Sequence, residues 1–132
     1  DVGARLYTVA LHMHLLAVSG RVTIERADGT TECLLHITDW SYTWQRAYTF
    51  QEPKNLYPGD RLAIECTFDN SAANQPIVNG VQQEPKGVTW GEDPTDEMCL
   101  GFFVTVPLDD APPTIRPMPH PPRICRCGRC IQ

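Results

Sequence analysis

Two short segments carry side chains whose types suit a metal ion. His12 and His14 flank Met13 in an apolar stretch, and Met98 lies far along the chain in Asp96-Glu97-Met98-Cys99. In an extended strand residues i and i+2 point to the same face, so both imidazoles can reach one ion. Two imidazoles and a thioether suit copper, above all Cu(I), because thioether sulfur is a soft donor. Three protein ligands would leave one coordination position open for a small molecule.

Each segment also has a simpler interpretation. A His-x-His triplet in an apolar strand is more often a pair of hydrogen-bonded polar side chains than a metal site. A methionine in a strand normally fills the core. The residues by themselves therefore leave a metal site and an ordinary core both open.

Composition limits the class of protein. The length of 132 residues suits one domain, and 11 Lys and Arg against 16 Asp and Glu give a net charge of −5. This balance argues against nucleic-acid and anionic-membrane partners, which require a basic face. The longest apolar run, Val9–Val18, is interrupted by both histidines and is too short for a membrane span, which needs about 18 residues. Because the chain opens on Asp1, we expect a processed product or a domain of a longer protein.

The hydrophobic pattern is typical of an all-β protein. The predicted strands lie within Leu6–Val18, Val22–Ile37, Tyr48–Phe50, Arg61–Asp69 and Leu100–Val106. Within the second segment, Asp28-Gly29 is a strong signal for a hairpin with a two-residue turn. No segment shows a sustained 3.6-residue period. Short strands separated by turn signals predict an antiparallel sandwich.

Three connecting segments have distinct compositions. Tyr57–Asp60 reads Tyr-Pro-Gly-Asp, which predicts a type I or type II turn. Asp69–Gly91 is a long polar loop that precedes Met98, and loops of this length are often functional. The aromatic cluster Asp39–Trp44 is interpreted as core or edge packing, with a substrate or domain interface as the alternative.

The stretch from Leu6 to Val106 resembles the C-terminal domain of the type II copper, ascorbate-dependent monooxygenases, the group of the peptidylglycine α-hydroxylating and dopamine β-monooxygenases. The matching pieces, in order, are Leu11–Leu15, Tyr57–Leu62, Ile64–Phe68 and Asp96–Cys99. The Asp-Glu-Met-Cys piece is the specific part of this resemblance, because the His-x-His piece is generic without it.

The resemblance implies a jelly-roll-like antiparallel β-sandwich and one copper ion held by His12, His14 and Met98. It implies hydroxylation of a C–H bond in a small organic substrate, with O2 and a reductant such as ascorbate. It also implies a disulfide between Cys66 and Cys99, with two buried free thiols as the alternative. Such a disulfide would tie the strand that carries the methionine to the core.

Two departures from the family change these expectations. In the family, three histidines of a preceding domain hold a second, electron-supplying copper, and His36 and His120 cannot rebuild that site. We therefore expect half of an enzyme, completed by a second copper domain. The peptide-amidating members place an arginine, an asparagine and a tyrosine where this chain has Ala10, Leu100 and Phe102. A peptide carboxylate is thus not the expected substrate, and the pocket is expected to be more apolar.

The C-terminal end differs in character from the β-rich part, which predicts a copper-binding domain over residues 1–106 and a separate arm over 107–132. Pro107–Pro122 is rich in proline and favours an extended conformation. The three cysteines within Cys125–Cys130 could form disulfides, bind a metal or belong to a disordered tail, and the state of Cys33 is open as well. Six cysteines in 132 residues favour an oxidising compartment, secreted or periplasmic.

Two functions of other classes stay open alongside the monooxygenase. One is a non-catalytic copper-binding or copper-storing module, with the cysteine tail as a second thiolate site. The other is a disulfide-stapled interaction domain in which His12 and His14 are only structural. Metal analysis distinguishes the interaction domain from both copper proteins, and an upstream histidine-rich β domain distinguishes the monooxygenase from the other two.

Overall fold

The computed structural model describes residues 3–109. This part of the chain contains β1 (Ala4–His12), β2 (Ala17–Glu25), β3 (Thr31–Ile37), β4 (Ala47–Leu56), β5 (Arg61–Phe68), β6 (Ile77–Val78), β7 (Val81–Gln82), β8 (Leu100–Pro107) and one 3-10 turn, Ala72–Asn74. No helix in residues 3–109 is long and apolar enough to cross a membrane. The predicted cysteine cluster and nearly all of the predicted arm lie outside the described residues, so the division at residue 106 stays a prediction.

Two three-stranded antiparallel sheets share one core. The first sheet has the order β4-β1-β8 and the second has the order β3-β2-β5, while β6 and β7 form a separate small hairpin. The buried cluster draws its strand residues from both sheets: Leu6, Val9, Leu11, Ala17, Val22, Ile24, Leu34, Leu35 and Ile37. The all-β antiparallel prediction is confirmed, and the shared core gives the arrangement of a sandwich.

The alternation of β1 explains how it supports both the core and a functional surface. Val9 and Leu11 point inward and are almost completely buried. Their neighbours Thr8 and Ala10 are only partly buried. Burying a side chain of this size stabilises the fold by about 1.5–3 kcal/mol. Because the central strand is fixed in this way, the position of its last residue, His12, is fixed as well.

The apolar segment Leu6–Val18 forms two strands, not one. The chain turns at residues 15–16, and β2 begins at Ala17 in the opposite sheet. The loose alternation gave no sign of this break, because Leu15 and Leu16 are as apolar as their neighbours. The turn immediately follows the His-x-His triplet.

The predicted hairpin Val22–Ile37 is present, but its turn is longer than predicted. The N–H of Gly29 donates to the carbonyl of Arg26 at 2.9 Å, and the N–H of Arg26 donates to the carbonyl of Thr30 at 2.8 Å. Gly29 has a φ of 86°. This is a three-residue connection with glycine in the left-handed position, so the predicted two-residue turn at Asp28-Gly29 is wrong.

Two further tight turns connect consecutive strands. The N–H of Asp60 donates to the carbonyl of Tyr57 at 3.0 Å, and Gly59 has a φ of 93°, which makes Tyr57–Asp60 a type II turn. Asn79-Gly80 joins β6 to β7 with φ values of 51° and 79°. Positive φ at both positions is typical of a type I′ hairpin turn. The long loop Asp69–Gly91 therefore contains a small hairpin that was not predicted from the sequence.

Candidate metal centre

The side chains of the two histidines lie close together at the C-terminal end of β1. His12 is the last residue of the strand, and His14 lies beyond it with only 3% of its surface exposed. The centroids of the two imidazole rings are 5.0 Å apart, and the ring planes are nearly perpendicular at 84°. Met13, between them, turns away and is completely buried in the core.

The separation of the rings can be compared with what a shared ion requires. A metal about 2.0 Å from a ring nitrogen lies about 3.1 Å from the ring centre, so a tetrahedral angle would separate two ring centres by about 5.1 Å. The observed distance between the centroids of His12 and His14 is 5.0 Å. The spacing of the histidine pair is therefore compatible with one metal ion.

Each ring is hydrogen-bonded through Nδ1. His12 Nδ1 lies 2.7 Å from Oε1 of Gln45, and His14 Nδ1 lies 3.1 Å from the backbone oxygen of Asp96. A backbone carbonyl only accepts, so His14 Nδ1 carries the proton and Nε2 carries the lone pair. Histidines that bind metals commonly use one nitrogen in this way and offer the other to the ion.

Met98 lies on a segment that is attached to His14. Asp96 holds the His14 ring, and the carboxylate of the next residue, Glu97, accepts two backbone N–H groups. These are the N–H of His14 at 3.0 Å and the N–H of Leu16 at 2.6 Å. Glu97 is 8% exposed and Met98 is 9% exposed. The segment that carries the third predicted ligand is thus bound to the backbone that carries the second.

A disulfide fixes the other end of the same segment. Cys99 is bonded to Cys66 of β5, with 5.9 Å between the two Cα atoms, so the predicted pairing is confirmed. The residue after Met98 is therefore attached covalently to the second sheet. Cys33 is also disulfide-bonded. The options predicted for Cys125–Cys130 concern residues outside the described part of the chain.

Residues between β3 and β4 contact the histidine pair, and these contacts were not predicted from the sequence. The indole N–H of Trp40 donates to the backbone oxygen of His14 at 3.2 Å. The ring of Tyr42 meets the His14 ring edge-on at a centroid distance of 5.9 Å. Trp40 also packs against the core, as predicted for the aromatic cluster. The only sequence signal for the additional role is the density of aromatic residues in this segment.

An open depression adjoins Met98. It has a volume of about 290 Å³. Its apolar lining residues are Leu16, Phe68, Val88, Trp90 and Met98. Phe68 is 41% exposed and Trp90 is 66% exposed, so two aromatic rings are available at the surface. Val88 and Trp90 belong to the long loop that was predicted to be functional.

The residues that replace the family's polar groups lie beside His12. In the pairing of β1 with β8, Leu100 is opposite His12 and Phe102 is opposite Ala10. Opposite residues on paired strands share one face of the sheet. Phe102 is 58% exposed. The neighbours of His12 and Ala10 on β8 are therefore apolar.

Other donor sets were not found in the described residues. Within residues 3–109 no three His, Cys, Asp or Glu side chains are grouped closely enough to hold a metal ion. His36, in β3, pairs with Arg21 of β2 in the sheet opposite the one that carries His12.

The fold and the donor set define a β-sandwich domain in which a histidine pair lies against a methionine-bearing segment. Comparison with known families specifies the class. The chain belongs to the copper type II ascorbate-dependent monooxygenase family, whose C-terminal domain matches residues 1–108.

Two similar proteins illustrate the distance within the family. DBH-like monooxygenase protein 1 of Gallus gallus is 24% identical over 106 residues, which is 80% of this chain and 15% of that protein. Dopamine beta-hydroxylase of Canis lupus familiaris is 22% identical over 102 residues, which is 77% of this chain and 15% of that protein. The chain therefore spans a small part of the length of these relatives. No solved structure matches it significantly.

Proposed function

We propose that this chain is the catalytic copper domain of a monooxygenase, with His12, His14 and Met98 as the ligands of one copper ion. The proposal is supported by the spacing of the histidine pair and by the attachment of the Met98 segment to it. The two rings are 5.0 Å apart, and Asp96 and Glu97, which precede Met98, are hydrogen-bonded to His14. Membership of a copper-dependent monooxygenase family supports the choice of metal and of reaction.

The donor set fits copper on chemical grounds. Imidazole and thioether are the donors that suit copper, and the thioether in particular favours Cu(I). His14 has its Nδ1 engaged by a carbonyl and its Nε2 available, as a metal ligand requires. A copper ion held here would supply the one-electron chemistry that activates O2 for hydroxylation of a C–H bond.

The contribution of the protein is to hold the donors in place. All three contacts to His14 are hydrogen bonds. The indole of Trp40 donates to its carbonyl, the carboxylate of Glu97 accepts its N–H, and the backbone oxygen of Asp96 accepts from its ring. The backbone of His14 is thus held at both of its polar groups, and rotation of its ring would break the hydrogen bond to Asp96. The Cys66–Cys99 disulfide restrains the far side of Met98. Rigid donors of this kind are preorganised for an ion that changes its oxidation state.

We propose a small apolar organic molecule as the substrate. The depression beside Met98 is lined mainly by aliphatic and aromatic side chains, and the sheet face beside His12 carries Leu100 and Phe102. Neither surface offers the arginine that would recognise a peptide carboxylate at the position of Ala10. An apolar substrate would gain by burial against Trp90, whose ring is mostly exposed.

We further propose that sustained turnover requires a second copper domain, on a longer chain or on a partner. One copper ion stores one electron, whereas hydroxylation with O2 consumes two from the reductant. An oxidising compartment, secreted or periplasmic, is the proposed location, because the Cys66–Cys99 disulfide would not persist in a reducing one.

The test uses the purified 132-residue chain loaded with one equivalent of copper, a small aromatic hydrocarbon with a benzylic C–H bond, ascorbate and O2. We expect at most one product molecule per chain, and further product when hydrogen peroxide replaces O2 and ascorbate. The variant His14→Ala should abolish both. Sustained ascorbate-dependent turnover would contradict the two-domain proposal.

The alternative functions give different outcomes in the same experiment. A chain that binds copper but gives no product with either oxidant would be a copper-binding module. A chain that binds no copper would be an interaction domain in which His12 and His14 are structural.

A further inference from the structure

The segment between β3 and β4 supplies three contacts to the histidine pair. Trp40 donates its indole N–H to the carbonyl of His14 at 3.2 Å, and Tyr42 places its ring against the His14 ring. Gln45 contributes the third contact, a distance of 2.7 Å between its Oε1 and Nδ1 of His12. One short connection therefore contacts both histidines.

The orientation of the Gln45 amide follows from its second hydrogen bond. Its Nε2 lies 2.9 Å from the backbone oxygen of Tyr42. A backbone oxygen only accepts, so the amide nitrogen must face Tyr42 and the amide oxygen must face His12. An amide oxygen also only accepts. His12 Nδ1 must therefore donate, which assigns its proton to Nδ1 and its lone pair to Nε2 from the hydrogen-bond network.

We propose that Gln45 is a positioning residue of the copper site, which holds His12 as the Nδ1–H tautomer and thereby presents Nε2 to the metal. The metal in this statement rests on the proposed function, whereas the tautomer does not depend on a bound ion. Free imidazole side chains favour the proton on Nε2, where it would block that nitrogen. A preset Nδ1–H tautomer removes the need to move this proton when the ion binds.

The two histidines differ in how their tautomers are secured. His14 is held by the backbone oxygen of Asp96, which every substitution at that position retains. His12 is held by the side chain of Gln45, which a single substitution removes. The tautomer of the first histidine is therefore the part of the site that can be tested by mutation.

The backbone on both sides of Gln45 is anchored, so its side chain has a defined place. The N–H of Trp40 donates to the carbonyl of Val18 at 3.0 Å. On the other side, Ala47 begins β4 and pairs with Ala10 of β1. The hydrogen bond to His12 therefore joins the end of β1 to a connection whose backbone is anchored on both sides of Gln45.

The test compares Gln45→Leu with Gln45→Glu, and Gln51→Leu serves as the matched control because Gln51 is an exposed residue of β4. Leucine removes the acceptor, whereas glutamate keeps an oxygen acceptor for His12 and loses the donor to Tyr42. Long-range 1H–15N correlation spectra of the metal-free chain, at a pH where imidazole is neutral, report which nitrogen of His12 carries the proton. Competition titrations with the metal alone then give the Cu(I) affinity.

We expect the parent chain, Gln45→Glu and Gln51→Leu to show His12 protonated at Nδ1, and Gln45→Leu to shift the proton towards Nε2. Cu(I) affinity should fall by about 10–100-fold in Gln45→Leu, as for other outer partners of metal-binding histidines. An unchanged His12 tautomer in Gln45→Leu would overturn the inference, and so would an equal shift in Gln45→Glu. Absence of copper binding by the parent chain would instead refute the proposed function, and the tautomer result would still stand.

Discussion

Glu97 offers the sharpest prediction about how the donors are held together. Its carboxylate is buried, with 8% of the residue exposed, and it accepts the N–H groups of His14 and Leu16 at 3.0 and 2.6 Å. These residues are 83 and 81 positions away in sequence. One side chain therefore joins the turn after β1 to the segment that carries Met98.

The substitution Glu97→Gln keeps the shape of the side chain and removes one of its two acceptors. The amide oxygen of glutamine can accept one N–H, but the amide NH2 group then faces the other N–H without a hydrogen bond. A hydrogen bond to a charged group contributes about 1.5–3 kcal/mol, and a neutral one about 0.5–1.5 kcal/mol. The substitution removes one hydrogen bond to a charged group and makes the other a hydrogen bond to a neutral group. The free energy of unfolding should therefore fall by about 2–4 kcal/mol.

Urea unfolding followed by tryptophan fluorescence measures this loss as a shift of the midpoint at constant slope. Glu92→Gln is the matched control, because Glu92 is exposed in the same connecting segment. Its effect should stay within about 0.5 kcal/mol, as for most surface substitutions. A loss of less than about 0.5 kcal/mol in Glu97→Gln would refute the role given to Glu97. Hydrogen exchange at the amides of His14 and Leu16 should accelerate selectively in Glu97→Gln.

Three other predictions concern stability. Replacing Cys66 and Cys99 together by alanine opens a loop with a sequence separation of 33 residues, and the free energy of unfolding should fall by about 3 kcal/mol on the chain-entropy account. Tyr7→Phe should leave the free energy of unfolding unchanged or raise it by up to about 1–3 kcal/mol. The reason is that the Tyr7 hydroxyl is buried without a hydrogen-bond partner in the described residues. The pKa of Asp60 is lowered, chiefly by the N–H of Tyr57. Its stabilisation is therefore present above the pKa of an unfolded Asp and lost as pH falls through the lower folded pKa, and Asp60→Asn should flatten that part of the acid unfolding curve.

Each of these predictions has a contradicting result. Peptide mapping without reductant that finds Cys66 and Cys99 as free thiols would remove the basis of the first. A destabilisation of Tyr7→Phe by more than about 1 kcal/mol would mean that the hydroxyl makes a stabilising hydrogen bond. An acid unfolding curve of Asp60→Asn that parallels the parent curve would show that Asp60 does not contribute to the pH dependence.

The sequence was sufficient for the features that depend on local pattern. The hydrophobic pattern predicted the strands Arg61–Phe68 and Leu100–Pro107 nearly to their ends, and Tyr-Pro-Gly-Asp predicted the turn between β4 and β5. The resemblance to the family predicted the pairing of Cys66 with Cys99. These features follow from backbone preferences or from a family pattern, so that they can be recognised without the tertiary structure.

The sequence could not reveal features that depend on long-range contacts. In the sequence, nothing distinguishes Gln45 and Glu97 from other polar residues. Only the tertiary structure brings Gln45 to His12 and Glu97 to the backbone of His14. The break after His14 was hidden because Leu15 and Leu16 continue the apolar run. The outer contacts of the site therefore required the structure, even though the candidate ligands did not.

The central claim is that Met98 is a ligand of the copper ion bound by His12 and His14. The most direct measurement is the Cu(I) affinity of Met98→Ile by competition titration, with Cu(II) affinity measured in parallel. Isoleucine removes the soft donor and leaves both imidazoles, so Cu(I) affinity should fall more than Cu(II) affinity. An unchanged Cu(I) affinity in Met98→Ile would contradict the assignment of the site.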